Sequence, residues 1–252
     1  MSTVFDHLLE VRDRRGAGFV LLIDPDDTPE DALPELSARA ESVGVDAFFL
    51  GGSLVHSTEL DRYVGTLKRH TPLPVIGFPG AITQVVGQLD ALLFLSVISG
   101  RNPDYLIGRH VVAAPLVRKM GLETISTGYM LIESGALTTA QYMVGSLPLP
   151  RARPDVAVAT ALAGEMLGLR LMYLDAGSGA DEPVPDAMIR GIADAVACPI
   201  VVGGGIRTPE AVAAKVAAGA SFVVVGNAFE ERGDEGFMRE MVAAARGPAV
   251  AR

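Results

Sequence analysis

The chain has 252 residues, 49% of them apolar, and a formal net charge of −9 at pH 7. That length suits one (β/α)8-type barrel domain over residues 1–252, and the acidic balance, with no basic stripe, argues against a nucleic-acid partner. No apolar run reaches the ~18 residues of an integral membrane segment, and residues 1–7 show neither a basic region nor an apolar core after it, so a cytoplasmic protein without a secretory leader is expected.

The first strand-like run, near 18–24, ends in Ile23-Asp24-Pro25-Asp26-Asp27. An acid at the C-terminal end of a barrel strand faces the catalytic mouth. Asp24 is therefore a candidate functional residue, while Asp27 or Thr28 before Pro29-Glu30 fits the cap of a helix over 29–43. The second strand, 46–51, ends in Leu50-Gly51-Gly52-Ser53. A carboxylate and a hydroxyl on neighbouring strand ends form a sparse Mg²⁺ site, because this ion keeps water and substrate oxygens around one or two protein ligands.

After a helix at 58–70 and a third strand at 73–77, the interval 78–90 is short, apolar and broken by Pro79, Gly80 and Gly87. It makes a poor crossover helix, so an irregular or missing helix is expected there, with an opening for an apolar ligand beside it. Strand four (91–96), a helix (104–119) and strand five (122–126) follow. The stretch 128–154 then reads as a long functional insert.

A helix over 155–168 leads to strand six (170–174), which ends in Tyr173-Leu174-Asp175-Ala176-Gly177-Ser178-Gly179-Ala180. A helix over 185–196 precedes strand seven (199–203) and Gly203-Gly204-Gly205-Ile206. A helix at 209–218 precedes strand eight (221–226) and Gly226-Asn227, and a last helix starts near 234. Glycine lets backbone approach an anion, helix N-termini attract it, and the last two strand ends are the usual phosphate site of a barrel. Asp175 would repel a phosphate placed on it, and fits instead as an acceptor or general base for a nearby hydroxyl. The histidines show no metal spacing. Cys198, the one cysteine, excludes an intramolecular disulfide and reads as a small buried hydrophobe.

These residues resemble the geranylgeranylglyceryl phosphate synthases and their heptaprenyl relatives. The matching stretches are Leu22-Ile23-Asp24-Pro25-Asp26, Gly51-Gly52-Ser53, Phe94-Leu95-Ser96-Val97-Ile98-Ser99-Gly100-Arg101-Asn102-Pro103 and Thr127-Gly128-Tyr129. The strand-six loop, Gly203-Gly204-Gly205-Ile206-Arg207 and Gly226-Asn227 complete the set. The resemblance implies a prenyltransferase that moves a polyprenyl group, as of geranylgeranyl diphosphate, to the C3 hydroxyl of sn-glycerol 1-phosphate, giving an ether lipid precursor.

By the same resemblance Asp24 and Ser53 bind Mg²⁺. Tyr173, Leu174, Asp175, Ala176, Gly177, Ser178, Gly179, Gly203, Gly204, Gly226 and Asn227 bind glycerol phosphate, with Asp175 and Tyr173 the catalytic pair. Segments 102–108 and 147–150 look like the branch that forms homo-oligomers, dimers or hexamers. Two positions depart from the family: Asp175 stands where glutamate is usual, and Asp27 where lysine is common. The alternatives are another phosphate-sugar barrel enzyme, an isomerase or lyase, which leaves Asp24 and the strand-six loop unexplained, and a barrel that binds phosphate without turnover.

Overall fold

Successive side chains of a strand point to opposite faces, and a parallel strand covered on both faces is apolar throughout. β1 (Gly18–Ile23) follows that rule: Phe19, Leu21 and Ile23 pack outwards, while Val20 and Leu22 fill the interior. β2 (Ala47–Leu50), β3 (Val75–Gly77), β4 (Ala91–Val97), β6 (Leu171–Asp175), β7 (Ile200–Gly203) and β8 (Phe222–Val225) are likewise mostly apolar, whereas β5 (Glu123–Leu131) carries Glu123, Thr124, Ser126 and Thr127 in its first half. In the computed structural model, which describes residues 3–226 and 234–246, these eight parallel strands close into a barrel in chain order, β8 pairing with β1.

The shell consists of α1 (Val4–Arg15), α2 (Leu33–Val43), α3 (Leu60–His70), α4 (Arg109–Met120), α5 (Thr139–Val144), α6 (Pro154–Met166), α7 (Asp186–Ala193), α8 (Pro209–Ala217) and α9 (Glu235–Ala244). The expected barrel and the expected gap after strand three are both present. Only a single 3₁₀ turn, Ile82–Gln84, lies between β3 and β4. These two strands share just two register pairs, Ile76↔Ala91 and Gly77↔Leu92, where β4 and β5 share seven.

Four local expectations are corrected. α1 has no counterpart in the sequence reading. Its start is fixed by a capping box between Thr3 and Asp6, and its Phe5, Leu8 and Val11 close the N-terminal end of the barrel. Neither Asp27 nor Thr28 caps the next helix, because the chain first makes a 3₁₀ turn, Glu30–Ala32, with Pro29 at its cap and no side-chain bond. The π turn Asp104–Gly108 replaces the first part of the helix expected over 104–119. β5 runs on to Leu131, so Thr127-Gly128-Tyr129 belongs to a strand and the insert starts after it.

Buried Asp46 ties the two ends of the chain together. Its carboxylate accepts from Arg15, from Arg246 at 2.8 Å and from the backbone N–H of Phe19 at 2.8 Å. This network lies where the N-terminal helix and the last helix meet the barrel, which leaves the C-terminal end free for loops.

Candidate active site

Inward positions at the C-terminal strand ends gather around one cleft. Asp24, Ser53, Tyr173, Asp175, Ser178, Gly179, Gly204 and Gly226 all line it. Asp24 follows β1, and its Oδ1 accepts the N–H of Asp26 at 3.0 Å. Its Oδ2 lies where a side chain at residue 52 would stand, 2.3 Å from an ideal Cβ, so Gly52 is what lets the carboxylate sit against the β2 loop. The Gln84 carboxamide then staples that loop to the next: Nε2 donates to the Gly52 carbonyl at 3.0 Å, and Oε1 accepts from Gly80 at 3.2 Å.

Asp26 plays a structural part. It accepts from the backbone N–H of His56 and Ser57 at 2.7 and 3.0 Å, and the His56 bond leads in holding its carboxyl below the usual range.

Four residues expected to bind substrate do not line the cleft. Leu174 and Ala176 belong to the outer apolar layer, because parity along β6 sends them away from the mouth. Gly203 makes room for another group: a Cβ there would lie 2.8 Å from the Tyr173 hydroxyl. Gly177 turns beneath the loop against Thr138 and donates its N–H to Asp175 Oδ1 at 2.7 Å. Asn227 lies outside the described residues.

Gly204, with φ +78°, crosses over Gly177 so closely that a Cβ would stand 2.5 Å from its carbonyl oxygen. The loops after β6 and β7 are thus pressed together. Ser178 and Gly179 from the first loop and Gly204, Gly205 and Arg207 from the second line the cleft, glycine-rich backbone of the kind that suits an anion.

The floor is aromatic. Tyr173 stacks on Phe78 with centroids 5.0 Å apart and meets Tyr129 edge-on at 5.5 Å. Asp175 sits one layer above, with only 7% of its surface exposed. Burial raises its carboxyl above the ordinary 3.8, while bonds from Tyr129 and Gly177 pull it part of the way back. Burial, with the Asp175 charge behind it, lifts both tyrosine hydroxyls well above 10. A carboxylate so placed accepts a proton more readily than a solvated one.

From this floor the cleft leaves the barrel sideways. It is lined by both faces of β4, Leu93, Leu95 and Val97 from inside and Leu92 and Phe94 from outside, and by Val85 and Ala113. The exit lies where β3 and β4 barely pair and no crossover helix covers them. A polar, acid-bearing head thus opens into an apolar channel. Arg109 reaches across it, donating to the Gly80 carbonyl at 2.9 Å with its guanidinium 3.8 Å above the Tyr105 ring.

The chain matches the PcrB family over residues 9–245. The chain belongs to the PcrB family. Among similar family proteins is the geranylgeranylglyceryl phosphate synthase of Spirosoma linguale, 51% identical over 216 residues, 86% of this chain and 87% of that one. The protein of the same name from Chitinophaga pinensis is 47% identical over 240 residues, 94% of each chain. The crystal structure of (S)-3-O-geranylgeranylglyceryl phosphate synthase from Thermoplasma acidophilum in complex with substrate sn-glycerol-1-phosphate superposes with a TM-score of 0.91 and 31% identity. It covers 98% of this chain and 99% of that one.

Within this PcrB-family barrel the sequence reading missed Tyr129, Phe78, Arg109, His110 and Arg207, all of which line the cleft. Tyr129 was legible in principle. With β5 extended to Leu131, residues 125, 127, 129 and 131 alternate inwards, and Tyr129 falls beside Tyr173 in register. Arg207, whose guanidinium donates to the Ala180 carbonyl at 3.0 Å, stood in the matching Gly203-to-Arg207 stretch without a role. His110, set aside with the other histidines, packs edge-on to Phe94 with centroids 4.5 Å apart.

Proposed function

We infer that this chain is a prenyltransferase that joins a polyprenyl group, geranylgeranyl the foremost candidate, to the C3 hydroxyl of sn-glycerol 1-phosphate. The observation that carries the reading is the continuity of the cleft: phosphate-type loops and a buried proton acceptor at one end, an open apolar channel at the other. An isoprenoid tail buried at ~0.8 kcal/mol per carbon gains a large gross driving force, reduced by the cost of ordering it. An isomerase or lyase acting on a small sugar phosphate has no use for such a channel.

The loops after β6, β7 and β8 hold the glycerol phosphate, and Asp175 receives the proton of the attacking hydroxyl above Tyr173. The residues at the other side of the mouth suit Mg²⁺. Two carboxylates and one hydroxyl, Asp24, Asp27 and Ser53, line the cleft there, and among the described residues no cluster of three acids, histidines or cysteines could hold a metal ion. Such a sparse donor set matches an ion completed by diphosphate oxygens and water. Bound there, Mg²⁺ supplies charge neutralisation of the departing diphosphate.

Self-association belongs to the same reading. Ile107, Val111 and Val112 are each at least 60% exposed on or next to α4, a row that a second copy of the chain would cover. Among the described residues no helix is long and apolar enough to cross a membrane.

Titration with sn-glycerol 1-phosphate, followed by turnover with C15, C20 and C35 prenyl diphosphates in the presence of Mg²⁺, tests the proposal. Saturable binding and transfer, best with the C20 donor, are expected. Binding with no transfer from any donor would leave a phosphate-binding barrel without turnover.

A further inference from the structure

Within the function just proposed, the fate of the substrate proton can be read one step further. Asp175 has both carboxylate oxygens engaged. Oδ1 accepts the Gly177 N–H at 2.7 Å and is hemmed in by Gly204, while Oδ2 accepts the hydroxyl of Tyr129. Tyr129 is held rigidly: its ring packs 5.9 Å from Phe78 and 5.5 Å from Tyr173, and it is buried except where it meets the cleft. A phenol that donates its one proton keeps lone pairs with which to accept another. Burial keeps that phenol protonated between turnovers. Asp175 is also shorter by one methylene than a glutamate, roughly 1.3–1.5 Å of reach by ordinary bond lengths, and Tyr129, hydrogen-bonded to it, lines the same cleft.

We propose that Tyr129 is a catalytic relay, accepting the C3 hydroxyl proton of glycerol phosphate while passing its own proton to Oδ2 of Asp175. In the balanced step the C3 oxygen forms its bond to C1 of the prenyl group. The bond from C1 to the diphosphate oxygen breaks, and its electron pair leaves with diphosphate. The hydroxyl proton moves to the Tyr129 oxygen and the phenolic proton to Asp175. Tyr129 ends neutral, Asp175 ends protonated, and the carboxyl returns its proton to water as product leaves. The hydrogen bond between them couples the two residues into one unit.

Tyr129→Phe keeps the ring and removes the hydroxyl. Wild-type transfer, measured first, tests the function itself; if wild type forms no ether, that reading fails before the relay is in question. With wild-type transfer in hand, Tyr129→Phe should lower kcat about 10²-fold, within the usual worth of a positioned proton-transfer group. Its Kd for sn-glycerol 1-phosphate should stay within about twofold, which also reports an intact fold. The acid limb of its pH–rate profile should move upwards, because a bond that lowers the Asp175 carboxyl is gone. Tyr129→Phe combined with Asp175→Asn should be no slower than Asp175→Asn alone, since a relay fails as a unit. Turnover of Tyr129→Phe at the wild-type rate, or losses that multiply in the double variant, would overturn the relay.

Discussion

Replacing Asp175 by Asn is nearly isosteric, and what it removes is the proton acceptor. Two donors, the Gly177 N–H at 2.7 Å and the Tyr129 hydroxyl, converge on the carboxylate. A carboxamide has one acceptor oxygen. If that oxygen faces Gly177, its amino group faces Tyr129, whose hydroxyl turns round to accept it. The fold therefore loses one ordinary hydrogen-bond arrangement, about 1 kcal/mol, and is relieved of a buried charge. Turnover loses far more: a positioned base is worth roughly 10²–10⁴ in rate, or about 2.7–5.4 kcal/mol.

The assay is steady-state release of diphosphate, set beside calorimetric titration of sn-glycerol 1-phosphate. A drop in kcat of that size with little change in phosphate affinity is expected. The wild-type rate should also fall as pH drops through a midpoint above 3.8, because burial raises the Asp175 carboxyl, and the Asn variant should lack that limb. The sign for stability is opposite. A folded-state value above the unfolded one favours the fold at low pH, and that contribution is lost as pH rises through the folded value, so Asp175→Asn should not show this loss. Undiminished turnover in Asp175→Asn would refute the role given to this carboxylate.

Asp24→Asn should raise the KM for prenyl diphosphate and the Mg²⁺ requirement by at least tenfold, roughly the cost of one charge-assisted contact, while glycerol phosphate binding is nearly kept. Equal loss of both ligands would contradict the division of the cleft. Gly204→Ala puts a Cβ 2.5 Å from the Gly177 carbonyl at φ +78°; a loss of more than about 1 kcal/mol in stability, visible as a lower Tm, and weakened glycerol phosphate binding are expected. Asp46→Ala should cost about 1–2 kcal/mol in urea unfolding, because it removes the buried acceptor shared by Arg15, Arg246 and the Phe19 N–H. The Cys198 thiol is pushed up to about 11, by burial first and then by the neighbouring Glu165. It should react slowly with disulfide reagents at pH 8, and its modification should leave turnover unchanged.

Strand positions were legible because eight apolar runs alternate with helical patterns, and the missing crossover after β3 was legible from Pro79, Gly80 and Gly87. Asp24, Ser53, Asp175 and the glycine loops stood out because they follow the C-terminal ends of these runs, the catalytic face of a barrel. What the pattern hid has physical causes. The second half of β5 is interrupted by Gly128, a poor strand former, so Tyr129 was assigned to a loop and its pairing with Asp175 went unseen. Leu174, Ala176 and Gly203 were expected in the site through the family resemblance of their motifs, while the two-residue period of β6 turns the first two side chains outwards and Gly203 makes space for Tyr173. Arg109 and His110 open α4 directly after the π turn at Asp104–Gly108, and no composition signal announces that turn.

One cleft would hold glycerol phosphate at its polar end and a prenyl tail along its open wall, and join them. The direct measurement is a single reaction containing the purified protein, Mg²⁺, geranylgeranyl diphosphate and sn-glycerol 1-phosphate, extracted into butanol and analysed by mass spectrometry and phosphate release. An ether at C3 of the glycerol phosphate is expected, with one diphosphate released for each ether formed. Diphosphate released without ether, or glycerol phosphate recovered only unchanged or isomerised, would contradict it.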